Sequence, residues 1–223
     1  MRHSVVIPAH NAARYLEACV RSVLPQLGAA DEVIIVDDGS DDATREIAEG
    51  LGDGRVIVAS HPTNRGAAAA RNTGLSIASG DVLDFLDADD LWPDGRMAAV
   101  RRLIEENPQC SAFSGWVAHF HCTLFPPARL TDLPPPRAAT LPGSVVLLRG
   151  LMETVGPLDT RLSSGEFIDY VARLRQATAR WIESNEVWYH RRIHAANHSR
   201  ADKSRTAAYL DVVRRHLNRR EQP

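Results

Sequence analysis

Glu32-Val33-Ile34-Ile35-Val36-Asp37-Asp38-Gly39-Ser40-Asp41-Asp42 is the stretch whose reading decides the fold. Val33 to Val36 is apolar without alternation, which is the pattern of a strand covered on both faces. It runs into a polar cluster, and Ser40 opens a short helix that stops near Gly50. The same unit stands on either side. Upstream, Val5-Val6-Ile7 is a short buried strand, and Asn11 can cap a helix whose apolar positions Tyr15, Leu16, Cys19, Val20 and Val23 follow helical spacing. Downstream, residues 55–59 read as a third strand, the alanine-rich residues 66–79 as a helix stopped by Gly80, and residues 82–86 as a fourth strand. Strands separated by helices of this length need right-handed crossovers, and they build a parallel sheet with helices on both faces. The expected class is therefore α/β, with a central, mostly parallel sheet flanked by helices.

The second half is less regular. Residues 93–107 suggest a helix with Pro93 in its first turn, and residues 112–120 a strand. Pro126, Pro127, Pro134, Pro135, Pro136 and Pro142 are too crowded for a helix or a central strand, so this segment reads as a loop. Beyond it, residues 145–148 suggest a strand, 166–177 a helix and 187–193 another strand. Tyr209, Val212, Val213, His216 and Leu217 make one face of a C-terminal helix. With no isolating linker and no internal repeat, a single domain is expected.

Composition narrows the function. A chain of 223 residues with 44% hydrophobic residues can bury a real core, which excludes disorder and fibrous repeats. Twenty-six basic residues against 28 acidic ones give a net charge of -2, so there is no global electrostatic case for nucleic acid. Cys19, Cys110 and Cys122 lack metal-ligand spacing and read as buried or incidental thiols in a reducing compartment. The chain enters its first strand without a basic leader or cleavage site, and no apolar run approaches the roughly 20 residues of a membrane helix. A cytoplasmic protein without a transmembrane segment is expected. Lys203 is the only lysine, and that arginine bias, with the many alanines, suggests a high-GC bacterial genome.

In open parallel sheets, ligands bind outside the carboxyl ends of the strands. Those ends carry Pro8-Ala9-His10-Asn11 after the first strand, Asp37-Asp38-Gly39-Ser40 after the second, Asn64-Arg65-Gly66 after the third and Asp87-Ala88-Asp89-Asp90 after the fourth. Ala70-Arg71-Asn72-Thr73-Gly74 lies inside the third helix. In this order, over residues 4–92, these motifs closely resemble the family 2 glycosyltransferases of the GT-A fold. A looser continuation runs through Val155-Gly156-Pro157-Leu158-Asp159, Gly165-Glu166 and Arg191-Arg192-Ile193-His194. The region around 111–141 has no such counterpart.

The resemblance implies a nucleotide-sugar donor, most commonly a UDP-sugar, and transfer with inversion to an acceptor hydroxyl or similar nucleophile. It divides the domain into a nucleotide-sugar-binding half at 1–92, an acceptor and catalytic half at 93–200 and a C-terminal helix at 201–223. A nucleotide diphosphate is a charged leaving group, and Mn²⁺ or Mg²⁺ bridging its phosphates neutralises the charge that develops on it. Such ions prefer oxygen ligands and need one or two carboxylates. Asp89 is the first choice for direct ligation, with Asp87 acting through ribose or water. The resemblance adds His194 to the metal shell, Asp38 to the base or ribose, and Arg71 to the nucleotide or its phosphates. Pro8, Ala9, Asn11, Asn64, Gly66 and Ala88 complete the expected donor site.

Inversion requires a base on the far side of the sugar. Relatives place an Asp after a Glu, but here Gly165-Glu166 is followed by Phe167-Ile168-Asp169. Glu166, in the first turn of a helix, takes over the role in this reading, with Asp169 as the alternative three residues on. The acceptor is a small molecule, a glycan or a modified peptide. A second reading is a nucleotide-sugar-binding protein with weak or lost catalysis. A dinucleotide oxidoreductase is disfavoured, because Pro8-Ala9-His10-Asn11 replaces the glycine-rich turn that such a cofactor needs; a nucleotidyltransferase would likewise need a glycine-arginine loop that is missing.

Overall fold

A computed structural model describes residues 1–123, 132–162, 164–178 and 180–194. The first half alternates strictly: β1 (His3–Ala9), α1 (Leu16–Val23), β2 (Glu32–Asp38), α2 (Thr44–Gly50), β3 (Val56–His61), α3 (Ala67–Ile77), β4 (Val82–Phe85) and α4 (Arg96–Glu106). The second half continues with β5 (Ala112–His121), β6 (Arg137–Ala138), β7 (Val145–Leu148), α5 (Arg149–Val155), α6 (Glu166–Ala177) and β8 (Trp181–Ile193). All the described strands join one sheet in the order β3-β2-β1-β4-β7-β5, with β6 and β8 also paired to β5. β1 to β4 are parallel, β7 runs antiparallel between β4 and β5, and β8 lies parallel to β5.

Burial on both faces explains the apolar runs. Val5, Ile7, Val33 and Ile35 pack on one side against Leu16, Cys19, Val20 and Val23 of α1 and Ala48 of α2. Their neighbours Val6, Ile34 and Val36 face the other side, with Leu83 and Phe85, under α3, α5 and α6. Each such aliphatic side chain contributes roughly 1.5–3 kcal/mol relative to an exposed one. α3 lies close to the sheet because Gly74 faces Val6, where a Cβ would stand 2.3 Å from Val6 Cγ1.

Helix starts fall later than the polar and proline markers suggest. Asn11 does not cap α1, which begins at Leu16; it adopts φ 50° and its Oδ1 accepts from Asp41 N at 3.0 Å, tying the loop after β1 to the loop after β2. Asp42 rather than Ser40 marks the entry to α2, accepting from Thr44 N at 2.9 Å. Pro93 precedes a left-handed turn at Gly95, φ 77°, and α4 starts only at Arg96. β8 begins at Trp181 rather than near residue 187, and α5 and β6 were not expected from the sequence. The three cysteines are buried and form no disulfide. The expected helix around Tyr209 to Leu217, and Pro126 and Pro127 of the proline-rich loop, lie outside the described residues. Among the described residues no helix is long and apolar enough to cross a membrane.

Candidate functional site

From β1 the chain steps outward to β2 and β3, then crosses back to β4 on the other side of β1. That reversal opens a crevice at the carboxyl ends of β1 and β4, where a ligand fits without meeting a crossover. Pro8, Ala9 and Asn11 border it from β1, and the turn Asp87–Asp90 from β4. The turn closes by a bond from Asp90 N to Asp87 O at 3.0 Å, with Ala88 buried inside it. The side chains of Asp87 and Asp89 remain about a third exposed, 33% and 32%. Asp90 is buried: its Oδ1 accepts from Arg192 N at 2.6 Å and its Oδ2 from the Tyr189 hydroxyl. Burial, reinforced by the charges of Asp89 and Asp87, pushes its carboxyl well above the usual range. Asp87 and Asp89 are thus the two acidic side chains of this turn that solvent reaches.

α3 delivers Arg71 to the same place. Its side chain is only 4% exposed, with Nη2 donating to Asp87 Oδ1 at 2.6 Å and Nη1 to Glu166 Oε1 at 3.0 Å. Burial works against the guanidinium charge, but Asp87 and Glu166 outweigh it and hold the pKa above its ordinary value. The cation thus ties the β4 turn to the first residue of α6. Glu166 is 18% exposed, and its Oε2 has no hydrogen bond among the described residues.

Asp169 is not brought to this cluster. Although it follows Glu166 at helical i+3 spacing, it is buried and its Oδ2 accepts from Arg173 Nε at 2.9 Å. Arg173 is itself held by the carbonyls of Val155 and Pro157 at 3.1 and 2.9 Å, so Asp169 serves the α5–α6 connection. Phe167, at the position where a base was expected, packs edge-on against Phe85 with ring centroids 5.9 Å apart.

Asp38 sits at the end of β2, buried, with its carboxylate turned toward its own chain. Oδ1 accepts from His61 Nδ1 at 2.6 Å and Arg65 N at 2.9 Å, while Oδ2 accepts from Gly66 N at 2.7 Å. Asn64 Oδ1 accepts from the same Gly66 N at 2.9 Å, and Gly66 holds φ 88°. A carboxylate offers about four acceptor positions, and three of those of Asp38 are occupied.

His194 follows β8 and places Nε2 2.9 Å from Asp89 Oδ2, with its ring 4.8 Å from that of Tyr15. At 2.9 Å the imidazole and the carboxylate are hydrogen-bonded to each other; a ring nitrogen and a carboxylate oxygen are both donor types that divalent ions take. Among the described residues no group of three or more His, Cys, Asp or Glu could hold a metal ion. Sequence reasoning missed Tyr189 and Arg192, the supports beneath this turn. Arg192 Nε also donates to Asp89 O at 2.7 Å; Arg192 stands in the run Arg191-Arg192-Ile193-His194, of which only His194 was given a role, and nothing in the pattern of β8 marks Tyr189.

Comparisons with known proteins give the family and the fold. The chain is 40% identical over 89 residues to a UDP-Glc:α-D-GlcNAc-diphosphoundecaprenol β-1,3-glucosyltransferase, WfgD of Escherichia coli, covering 40% of this chain and 35% of that protein. S. aureus TarS in complex with UDP-GlcNAc superposes with TM-score 0.79 at 19% identity, covering 97% of this chain and 65% of that one. A mannosyltransferase from Pyrobaculum calidifontis in complex with GDP-Man and Mn²⁺ superposes with TM-score 0.70 at 20% identity, covering 100% of this chain and 64% of that one. The chain thus spans about a third of that curated relative and under two thirds of the solved ones. The two superpositions identify the GT-A fold. The family description "Glycosyl transferase family 2" matches residues 4–143, more than half of the chain, and with these motifs at the strand ends the chain belongs to glycosyl transferase family 2.

Proposed function

We propose that this protein transfers a sugar, most commonly from a UDP-sugar, to an acceptor hydroxyl or similar nucleophile with inversion, in a divalent-cation-dependent reaction. The observation that carries the reading is the convergence of Asp87, Asp89, Arg71, Glu166 and His194 at one end of the sheet. Mn²⁺ or Mg²⁺ would be held by Asp89 and His194 and would neutralise the charge developing on the departing diphosphate. Asp87 is fixed by Arg71 and presents its exposed edge to ribose or to water. Arg71 adds fixed positive charge beneath the diphosphate side, which strengthens in a site sheltered from water. Asp38 serves the base or ribose, with Pro8, Ala9, Asn11, Asn64, Gly66 and Ala88 shaping the surrounding walls. Glu166 takes the acceptor proton on Oε2, while the bond from Arg71 fixes Oε1.

The relatives that accept UDP-Glc, UDP-GlcNAc or GDP-Man support a nucleotide-sugar donor without choosing one. The acceptor is a small molecule, a glycan or a modified peptide. In this scheme residues 1–92 bind the donor and 93–200 supply the acceptor side and the base, in the cytoplasm. A second reading, donor binding with lost catalysis, is favoured by one observation: Phe167 is buried against Phe85 where relatives carry the base. Turnover separates the two. Nucleotide release from UDP-Glc, UDP-GlcNAc and GDP-Man is measured with Mn²⁺ over a panel of glycan acceptors, and the anomeric configuration of product is read by NMR. Inverted product that disappears in Asp89→Asn supports transfer. Tight nucleotide binding with no turnover on any acceptor supports the second reading.

A further inference from the structure

β8 grips the acidic turn along its whole length. The Tyr189 hydroxyl donates to Asp90 Oδ2 and stands 3.4 Å from Asp87 Oδ2. His190 and Leu91 exchange backbone hydrogen bonds at 2.9 and 3.0 Å. Arg192 reaches both Asp90 Oδ1 and the carbonyl of Asp89, and His194 reaches Asp89 Oδ2. Tyr189 itself is immobilised: it is fully enclosed, and its ring lies on Gly143, where a Cβ would come within 2.3 Å of the ring. A buried carboxylate and a buried hydroxyl are each costly to leave unpaired, and here each satisfies the other. Of the three carboxylates in the turn, only Asp90 is enclosed, while Asp87 and Asp89 keep a third of their side-chain surface open.

We propose that Tyr189 and Asp90 form a positioning pair for the donor site: the hydrogen bond between them locks the turn so that Asp87 and Asp89 meet a nucleoside diphosphate and its cation in one arrangement. This rests on the reading of the turn as the donor and cation site. Neither residue touches the donor; they act through the backbone that carries Asp87 and Asp89. Outer partners of this kind commonly govern ligand orientation, and their loss costs about 10- to 100-fold in metal affinity.

The test is a double-mutant cycle read by calorimetry, with UDP and GDP titrated in Mn²⁺ and in chelator, well below each variant's melting midpoint. Tyr189→Phe keeps the ring on Gly143 and removes only the hydroxyl. Asp90→Ala removes the acceptor. Each single variant is expected to weaken Mn²⁺-dependent binding about tenfold and to leave binding in chelator as in the wild type. The double variant is expected to be no weaker than Asp90→Ala, because both changes break the same bond. The proposal is overturned if Tyr189→Phe binds as the wild type does while only its melting midpoint falls, which marks a purely structural contact. It is also overturned if the two losses multiply to about a hundredfold. Should Asp90→Ala not fold, Tyr189→Phe decides alone. Absence of Mn²⁺-dependent binding in the wild type would instead remove the donor-site reading itself, and the positioning role with it.

Discussion

Glu166 and Asp169 show how little residue type says about role. Both are carboxylates in the first turn of α6, but Glu166 pairs with Arg71 at the crevice, whereas Asp169 is enclosed with Arg173. A general base contributes typically about 10²- to 10⁴-fold, so Glu166→Gln is expected to lower transfer by that factor with donor affinity nearly unchanged. Asp169→Asn is expected to act on stability instead, since a hydrogen bond to a charged group in a part-buried pair contributes about 1.5–3 kcal/mol. Steady-state kinetics beside thermal melts check both. Equal losses of rate and of donor affinity in Glu166→Gln would mean that Glu166 orients the sugar and takes no proton. Arg71 carries the same lesson: the resemblance places it at the nucleotide or its phosphates, and the fold buries it between the carboxylates of Asp87 and Glu166.

At the scale of elements, β1 and β2 were legible because burial on both faces writes an unbroken apolar run, as in Val33-Ile34-Ile35-Val36, while β3 is partly exposed and β4 is interrupted by the buried Asp84. The second half was less so. The strand expected at 145–148 is β7, but β6 has only two residues and α5 is a seven-residue helix with one buried hydrophobic residue, Leu151. Too few positions repeat in such elements for periodicity to declare them. Close approach of elements is equally silent in the sequence, and Gly74 provides a test. Gly74→Ala would press a Cβ to 2.3 Å from Val6, whereas Gly150→Ala in α5 meets nothing within 4 Å. Overpacking of this kind costs about 1–3 kcal/mol, which for a chain of this size lowers the melting midpoint by about 2 to 12 °C. Gly150→Ala is expected to be neutral or to gain up to about 1 kcal/mol from helix propensity. Thermal melts of the two variants check the contrast, and equal midpoints would contradict it.

For the molecule as a whole, the site is assembled by topology. Asp87 and Asp89 come from β4, Arg71 from α3, Glu166 from α6 and His194 from the end of β8, and only the reversal of strand order beside β1 brings them together. The motifs at strand ends made Asp38, Asp87 and Asp89 legible, since an acidic turn after a buried strand is unusual without a role. Tyr189 and Asp90 were not legible as supports, because a strand tyrosine and the last acid of a cluster take on that role only when the long-range bond between them forms. The central claim is that this end of the sheet binds a nucleoside diphosphate together with a divalent cation through Asp89. It is tested most directly by the melting midpoint of wild type and Asp89→Asn with UDP, GDP or dTDP, in Mn²⁺ and in chelator. A nucleotide at 100 times its dissociation constant adds about 2.7 kcal/mol, which corresponds to a rise of about 5 to 10 °C. The account predicts that rise for the wild type with Mn²⁺ and at least one nucleotide, and its loss both in chelator and in Asp89→Asn. A midpoint that none of the nucleotides moves, or a rise that survives chelator and the substitution, would contradict it.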